Sequence, residues 1–172
     1  LLTPNPGLRA AGLMRTGRVF SLNWSLELPD PPLLGRGALR HHINNVGWAT
    51  DDHYDNFYPQ ASTQWDALCH IGHPRYGFYN GHTAAEITGR PGSPNGIDHW
   101  AKRGIAGRFV LADMERYRAA IGQPLRQDAS DAVSVEEIEA ALQMQGVRLE
   151  SGDILLLRFG WIAWYELQDL TT

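Results

Sequence analysis

The chain has 172 residues, with 15 Lys and Arg against 19 Asp and Glu for a formal net charge of −4 and a pI near 5.9; that length suits one domain. With 43% hydrophobic and 20% charged residues, neither low apolar content nor high net charge predicts disorder, and mild acidity without a Lys/Arg cluster argues against a nucleic-acid binder. The single cysteine, Cys69, excludes an intramolecular disulfide framework and a zinc knuckle or ribbon, so a reducing, cytoplasmic setting is the default expectation.

Residues 1–16 mix Pro, Gly and small helix formers and read as a short lead-in segment. They start without an initiator Met and carry no signal-peptide pattern, so the chain is expected to be part of a longer one. Gly17–Trp24 alternates β-branched and aromatic residues with polar ones and predicts a strand, which the Pro- and Gly-punctuated stretch Pro29–Gly37 ends. From Arg40 to Gly81 the sequence is crowded with His, Asn, Asp, Tyr and Trp without a helical period, the profile of strands joined by functional loops. Within it, Thr63–Leu68 predicts a further strand, which places Gln64 and Asp66 on one face and Trp65 on the other.

Gly96–Gly104 predicts a short helix closed by glycine. Arg108–Asp113 is an apolar run of strand length, and Ser134-Val135-Glu136-Glu137 is a capping box that opens a helix with an apolar stripe of Val135, Ile138, Ala141 and Leu142, ended by Gly146. Asp153–Phe159 then reads as a strand covered on both faces. Its apolar run Ile154–Leu157 is far too short to span a bilayer. Strand, helix and strand together define an α/β unit.

The richest chemistry lies in Gln60–His70 and the Ile71-Gly72-His73 that follows. A carboxylate at Asp66 and an imidazole at His70 can meet at one spot, which hydrolysis needs: a group to hold a metal or orient water, and a group that moves protons near neutral pH. The same spacing also suits Asp66 as a turn cap and His70 as a hydrogen-bonded, half-buried histidine. Trp48, Tyr54, Phe57, Tyr58, Tyr76, Phe78 and Tyr79 crowd the neighbouring loops, where rings can line a pocket for a flat substrate or simply pack. His41 and His42, adjacent on an extended chain, diverge and suit a solvated pair better than a ligand pair. His99 suits a surface helix, and nothing marks Cys69 as a nucleophile.

These residues carry a resemblance. Gln60–His70 resembles the signature His-x-Gly-Thr-His-x-Asp-x-Pro-x-His of the cyclase family of kynurenine formamidase-like and isatin hydrolase-like metal-dependent hydrolases, with matches at Thr63, Asp66 and His70. Thr16–Leu22 is similar to the family's opening strand, Gly104–Asp113 to its central one, and Ser151–Trp161 to its Gly-Asp-x-x-Leu-x-x-x-Gly-Trp stretch. The resemblance implies an α/β cyclase-type fold, swivelling β/α/β-like, with a mixed sheet and flanking helices. Residues 1–172 would be a single but incomplete portion of that domain, with the family's C-terminal part lying beyond it or partner chains covering the gap.

The resemblance further implies a hydrolase of the arylformamidase type that acts on a C–N amide bond of a small aromatic substrate, as in tryptophan catabolism. It also implies a homodimer; the charge balance and the short apolar runs make neither nucleic acid nor membrane an expected partner. Asp66 takes the position of a family metal ligand for Zn²⁺ or Mn²⁺, and His70 that of the proton-transfer residue. The family's two metal histidines fall on Gln60 and Gln64, whose amide oxygens are neutral and weaker ligands, and its Pro on Leu68. The expected ligand set is therefore Asp66, Gln60 and Gln64 with His73, and the expected substrate-binding rings are Trp65, Tyr76, Phe78 and Tyr79. Three site chemistries stay open at this point: one rebuilt with His53, His73 or His82, a hard cation on Asp66 and the amides, or a metal-free polar network. A catalytically silent binding protein for an aromatic ligand is the alternative function.

Overall fold

A computed structural model describes the backbone of residues 4–168 and the side chains from residue 7 onward. The chain divides into two compact units: Arg18–Gly104, and the lead-in segment together with the part that follows Ile105. Strands of both polarities occur, in two separate two-stranded sheets rather than one mixed sheet. The α/β class holds.

The lead-in carries helix α1, Pro4–Ala11. Unit Arg18–Gly104 is built around an antiparallel hairpin of β1, Arg40–Asn45, and β2, Thr50–Asp55. Its turn closes through Val46 N–H donating to the Ala49 carbonyl at 3.0 Å, and the Gly47 N–H donates to Asn45 Oδ1 at 2.7 Å. Three single 3-10 turns follow, at Pro59–Ala61, Tyr79–Gly81 and Ala84–Glu86, before helix α2, Asp98–Arg103. Gly104 closes α2 by donating its N–H to the Trp100 carbonyl at 2.8 Å, as its sequence predicts.

Two expected strands are absent. Residues 17–24 and 63–68 join no ladder. In the first, Val19, Phe20 and Leu22 are exposed; an alternating pattern becomes a strand only where a neighbouring edge completes its hydrogen bonds and buries one face. The first segment is instead tied to the second through the Trp24 N–H on Thr63 Oγ1 at 2.9 Å, and the adjoining residues through Ser62 Oγ on the Ser25 carbonyl at 2.7 Å.

The other unit holds the core. Strand β3, Phe109–Asp113, runs parallel to β4, Ile154–Arg158, in the register Phe109↔Ile154 to Asp113↔Arg158. Between them lie helices α3, Met114–Ala120, and α4, Val135–Met144, and α5, Trp161–Tyr165, follows β4. Parallel neighbours need such a crossover. The capping box forms as read: the Glu137 N–H donates to Ser134 Oγ at 3.3 Å and the Ser134 N–H to the Glu137 carboxylate at 2.9 Å, worth about 1 kcal/mol. That Ser134 N–H, with Arg118 beside it, lowers the Glu137 carboxyl pKa.

Val110, Ala112, Met114, Ala141 and Leu142 form the buried cluster. Of the expected α4 stripe, Ala141 and Leu142 are buried and Ile138 packs against them, whereas Val135 is exposed. Gln145 ties α4 to β3 from both sides, accepting the Asp113 N–H at 2.9 Å and donating to the Leu111 carbonyl at 2.7 Å. The expectation that β4 is covered on both faces needs correction: Leu155 and Leu157 remain exposed. The helices cover one side of the pair, and β3 accordingly alternates buried Val110 and Ala112 with exposed Phe109 and Leu111. Among the described residues, no helix is long and apolar enough to cross a membrane.

Candidate functional site

The Asp66–His70 pair comes together, through a turn and not a strand end. The His70 N–H donates to the Ala67 carbonyl at 3.0 Å, and Asp66 Oδ1 accepts the Ala67 N–H at 2.9 Å. The turn brings His70 Nδ1 to 2.5 Å from Asp66 Oδ2. An ionised carboxylate only accepts hydrogen bonds, so Nδ1 carries the proton and Nε2 keeps its lone pair. About a third of each side chain is exposed (32% for His70, 39% for Asp66), so the imidazole is oriented and within reach of solvent. That is the arrangement of a general base held by a carboxylate.

The donors expected at a metal behave differently. Both Asp66 oxygens are engaged, one by a backbone N–H and one by His70. His73 turns Nδ1 toward the backbone, where it accepts the Arg75 and Tyr76 N–H groups at 3.1 and 3.3 Å. His82 Nδ1 lies 3.1 Å from Glu86 Oε1. Gln60 and Gln64 offer neutral amides alone. This set does not fit Zn²⁺ or Mn²⁺, which need several free anionic or imidazole donors converging on one point. Among the described residues, the group of His, Cys, Asp and Glu side chains that does converge is His42, His53 and Asp55, on the hairpin.

The loop beyond His70 is shaped by a close backbone approach. His73 and Gly77 exchange both of their hydrogen bonds, at 2.8 and 2.9 Å. Gly77 sits at φ +74°, where a Cβ would stand 2.5 Å from the His82 carbonyl oxygen, so no other residue fits there. The expected substrate rings are used locally: Tyr76 stacks on His73 at 4.7 Å and lies under the Arg75 guanidinium, and Phe78 packs on Gly72. Trp65 and Tyr79 are exposed.

A cavity of about 520 Å³ opens in the same unit, lined by Cys69, the chain neighbour of His70, and by Ile87, Arg90, Pro91, Ile97 and Lys102 among others, but by neither Asp66 nor His70. None of the four expected rings lines it. Arg90 and Lys102 escaped sequence reasoning because they lie 20 or more residues beyond the signature, in a Gly- and Pro-rich loop and on α2, and only the fold brings them alongside Cys69.

An α/β chain with a carboxylate-held histidine on a turn is the class of protein that fold and site define. The chain belongs to the family described as "Putative cyclase", whose model matches residues 21–171. It is similar, with 29% sequence identity and a TM-score of 0.80, to a crystal structure of a novel cyclase, over 98% of this chain and 60% of that one. The chain thus spans less than two thirds of that relative's length. A comparison with curated proteins finds no match.

Proposed function

We propose that this chain carries the acid–base residues of a hydrolase that cleaves a C–N amide bond, an aryl formamide or a cyclic amide, in a small aromatic substrate. The observation that carries the reading is the 2.5 Å contact between His70 Nδ1 and Asp66 Oδ2, which leaves Nε2 as a base. Nε2 takes a proton from water as its oxygen attacks the amide carbon. The imidazolium, stabilised by Asp66, then returns that proton to the leaving nitrogen as the C–N bond breaks. Water has been added across the bond: an aryl formamide gives an aryl amine and formic acid, and a cyclic amide opens to one molecule that carries both the amine and the carboxylic acid. Asp66 fixes the tautomer and orientation throughout.

The cavity that reaches this loop at Cys69, at about 520 Å³, lies in the range of roughly 300–1,000 Å³ usual for small-molecule sites. Because the signature donors do not fit Zn²⁺ or Mn²⁺, no step here passes through such an ion. Pairing of two chains is part of the same reading.

The test is steady-state hydrolysis of an aryl formamide by the wild type, Asp66→Asn and His70→Ala. An Asn at 66 turns a donor toward Nδ1 and forces the proton onto Nε2, so both variants lose roughly 10²–10⁴-fold in kcat/KM while circular dichroism stays native. Undiminished turnover in both sinks the mechanism. The amides at 60 and 64, where the family signature has histidines, favour a second reading, a silent binding protein. Saturable binding of aromatic ligands with no turnover by the wild type would establish it.

A further inference from the structure

We propose that one face of the β1–β2 hairpin binds a divalent transition-metal ion of the zinc class through His42, His53 and Asp55, a site that shares no residue with the Asp66–His70 pair. The register makes the trio. His42 stands directly opposite His53, and Asp55 opposite Arg40, so all three side chains project from the same face, where cross-strand and diagonal neighbours are within reach of one another. The two imidazoles stack with centroids 4.7 Å apart and planes 11° from parallel. His42 Nε2 is 2.9 Å from Asp55 Oδ2, and one ligand atom from each of the three lies within 4.8 Å of the others.

A tetrahedral Zn²⁺ with bonds of about 2.0–2.1 Å holds adjacent donor atoms about 3.3 Å apart. The His42–Asp55 distance is slightly shorter than this and the widest separation somewhat longer. Side chains this exposed close the difference by rotation about their own torsions, with the strand register unchanged. Two imidazoles and a carboxylate are the donors that suit zinc-class ions, and three protein ligands leave a fourth position for water.

Asn44 completes the arrangement, its amide nitrogen 3.2 Å from His53 Nδ1. Turned over, that amide accepts Nδ1–H through its oxygen and leaves Nε2 for the ion, the outer-shell contact that fixes the tautomer of metal-bound histidines. Asp51, opposite Asn44, and Arg40 share the face; two carboxylates against one guanidinium leave it net negative when the imidazoles are neutral, which favours a cation.

The experiment is titration of the full chain, freed of metal, with Zn²⁺ by calorimetry and with Co²⁺ by visible absorption. One ion per chain is expected. His53→Ala and Asp55→Asn should each weaken binding at least tenfold and Asn44→Ala about tenfold, whereas His41→Ala, on the opposite face, and Asp66→Asn should leave it unchanged. Hairpin amide chemical shifts distinguish lost ligation from lost folding. Absence of binding, or binding that survives both His53→Ala and Asp55→Asn, overturns the proposal. So does an ion lost through Asp66→Asn, which would place it at the signature.

Discussion

Met114 is fully buried at the junction of β3 and α3, against Val110, Ala112, Ala141 and Leu142. Truncation to Ala removes three heavy-atom groups beyond Cβ, at roughly 0.8 kcal/mol each for transfer. The cavity left behind adds to that, which puts the loss at about 3–4 kcal/mol. The unit that contains Met114 has about 85 residues, and for that size each kcal/mol lowers Tm by roughly 4–8 °C. A fall of about 12–32 °C is therefore expected if the unit melts by itself, and about half of that if the whole chain melts as one. Urea and thermal unfolding followed by far-UV circular dichroism give both numbers. Met144→Ala is the control: 46% exposed on the same connection, it should change stability by no more than about 0.5 kcal/mol. A loss below about 1 kcal/mol for Met114→Ala would show that the β3–α4 layer is not the core.

Two further outcomes follow from local geometry. The Thr83 N–H and hydroxyl, joined by His82, hold the Glu86 carboxyl at about 2 instead of 4.5. A depressed carboxylate pKa stabilises the turn fully above about 4.5 and ceases to do so as pH falls through about 2, so an NMR titration should place Glu86 near 2. Thr83→Ala should raise it only partway, because the larger contribution is the backbone N–H; a wild-type midpoint near 4.5 would refute the capping assignment. Gly160, at φ +81°, leaves room for the Glu115 carboxylate, whose carbon would lie 2.4 Å from an added Cβ and which pairs with Arg158 at 2.5 Å. Gly160→Ala should cost more than about 1 kcal/mol, and Glu115→Ala should relieve the clash but not the φ strain. An unchanged urea midpoint for Gly160→Ala would contradict both.

The regions legible in the sequence are those whose signal is local. Ser134 and Glu137 announced α4 three residues apart, Gly104 closed α2, and the apolar runs at 109–113 and 154–158 became paired strands. Asp66 and His70 meet because four residues of turn suffice to join them. Segments 17–24 and 63–68 misled because their alternation is genuine, and the missing element is a neighbour that no local pattern reveals.

The hairpin was hidden for the opposite reason. Arg40–Asn45 and Thr50–Asp55 carry almost no apolar residue to alternate, and their one local clue is the Asn45-Val46-Gly47 turn. His41 and His42 do diverge, yet each finds a carboxylate across the strands, Asp52 and Asp55 respectively. A pairing of residues eleven or thirteen apart is a property of register.

That register also has parity. Because strand side chains alternate with a period of two, a slip of one residue between Arg40–Asn45 and Thr50–Asp55 would send His53 to the face of His41 and leave His42 without its partners. A chain slipped by one residue thus holds no cation there. In a refolding chain the rise of Co²⁺ absorbance would therefore serve as a clock for a single event, the moment at which these two strands lock in step.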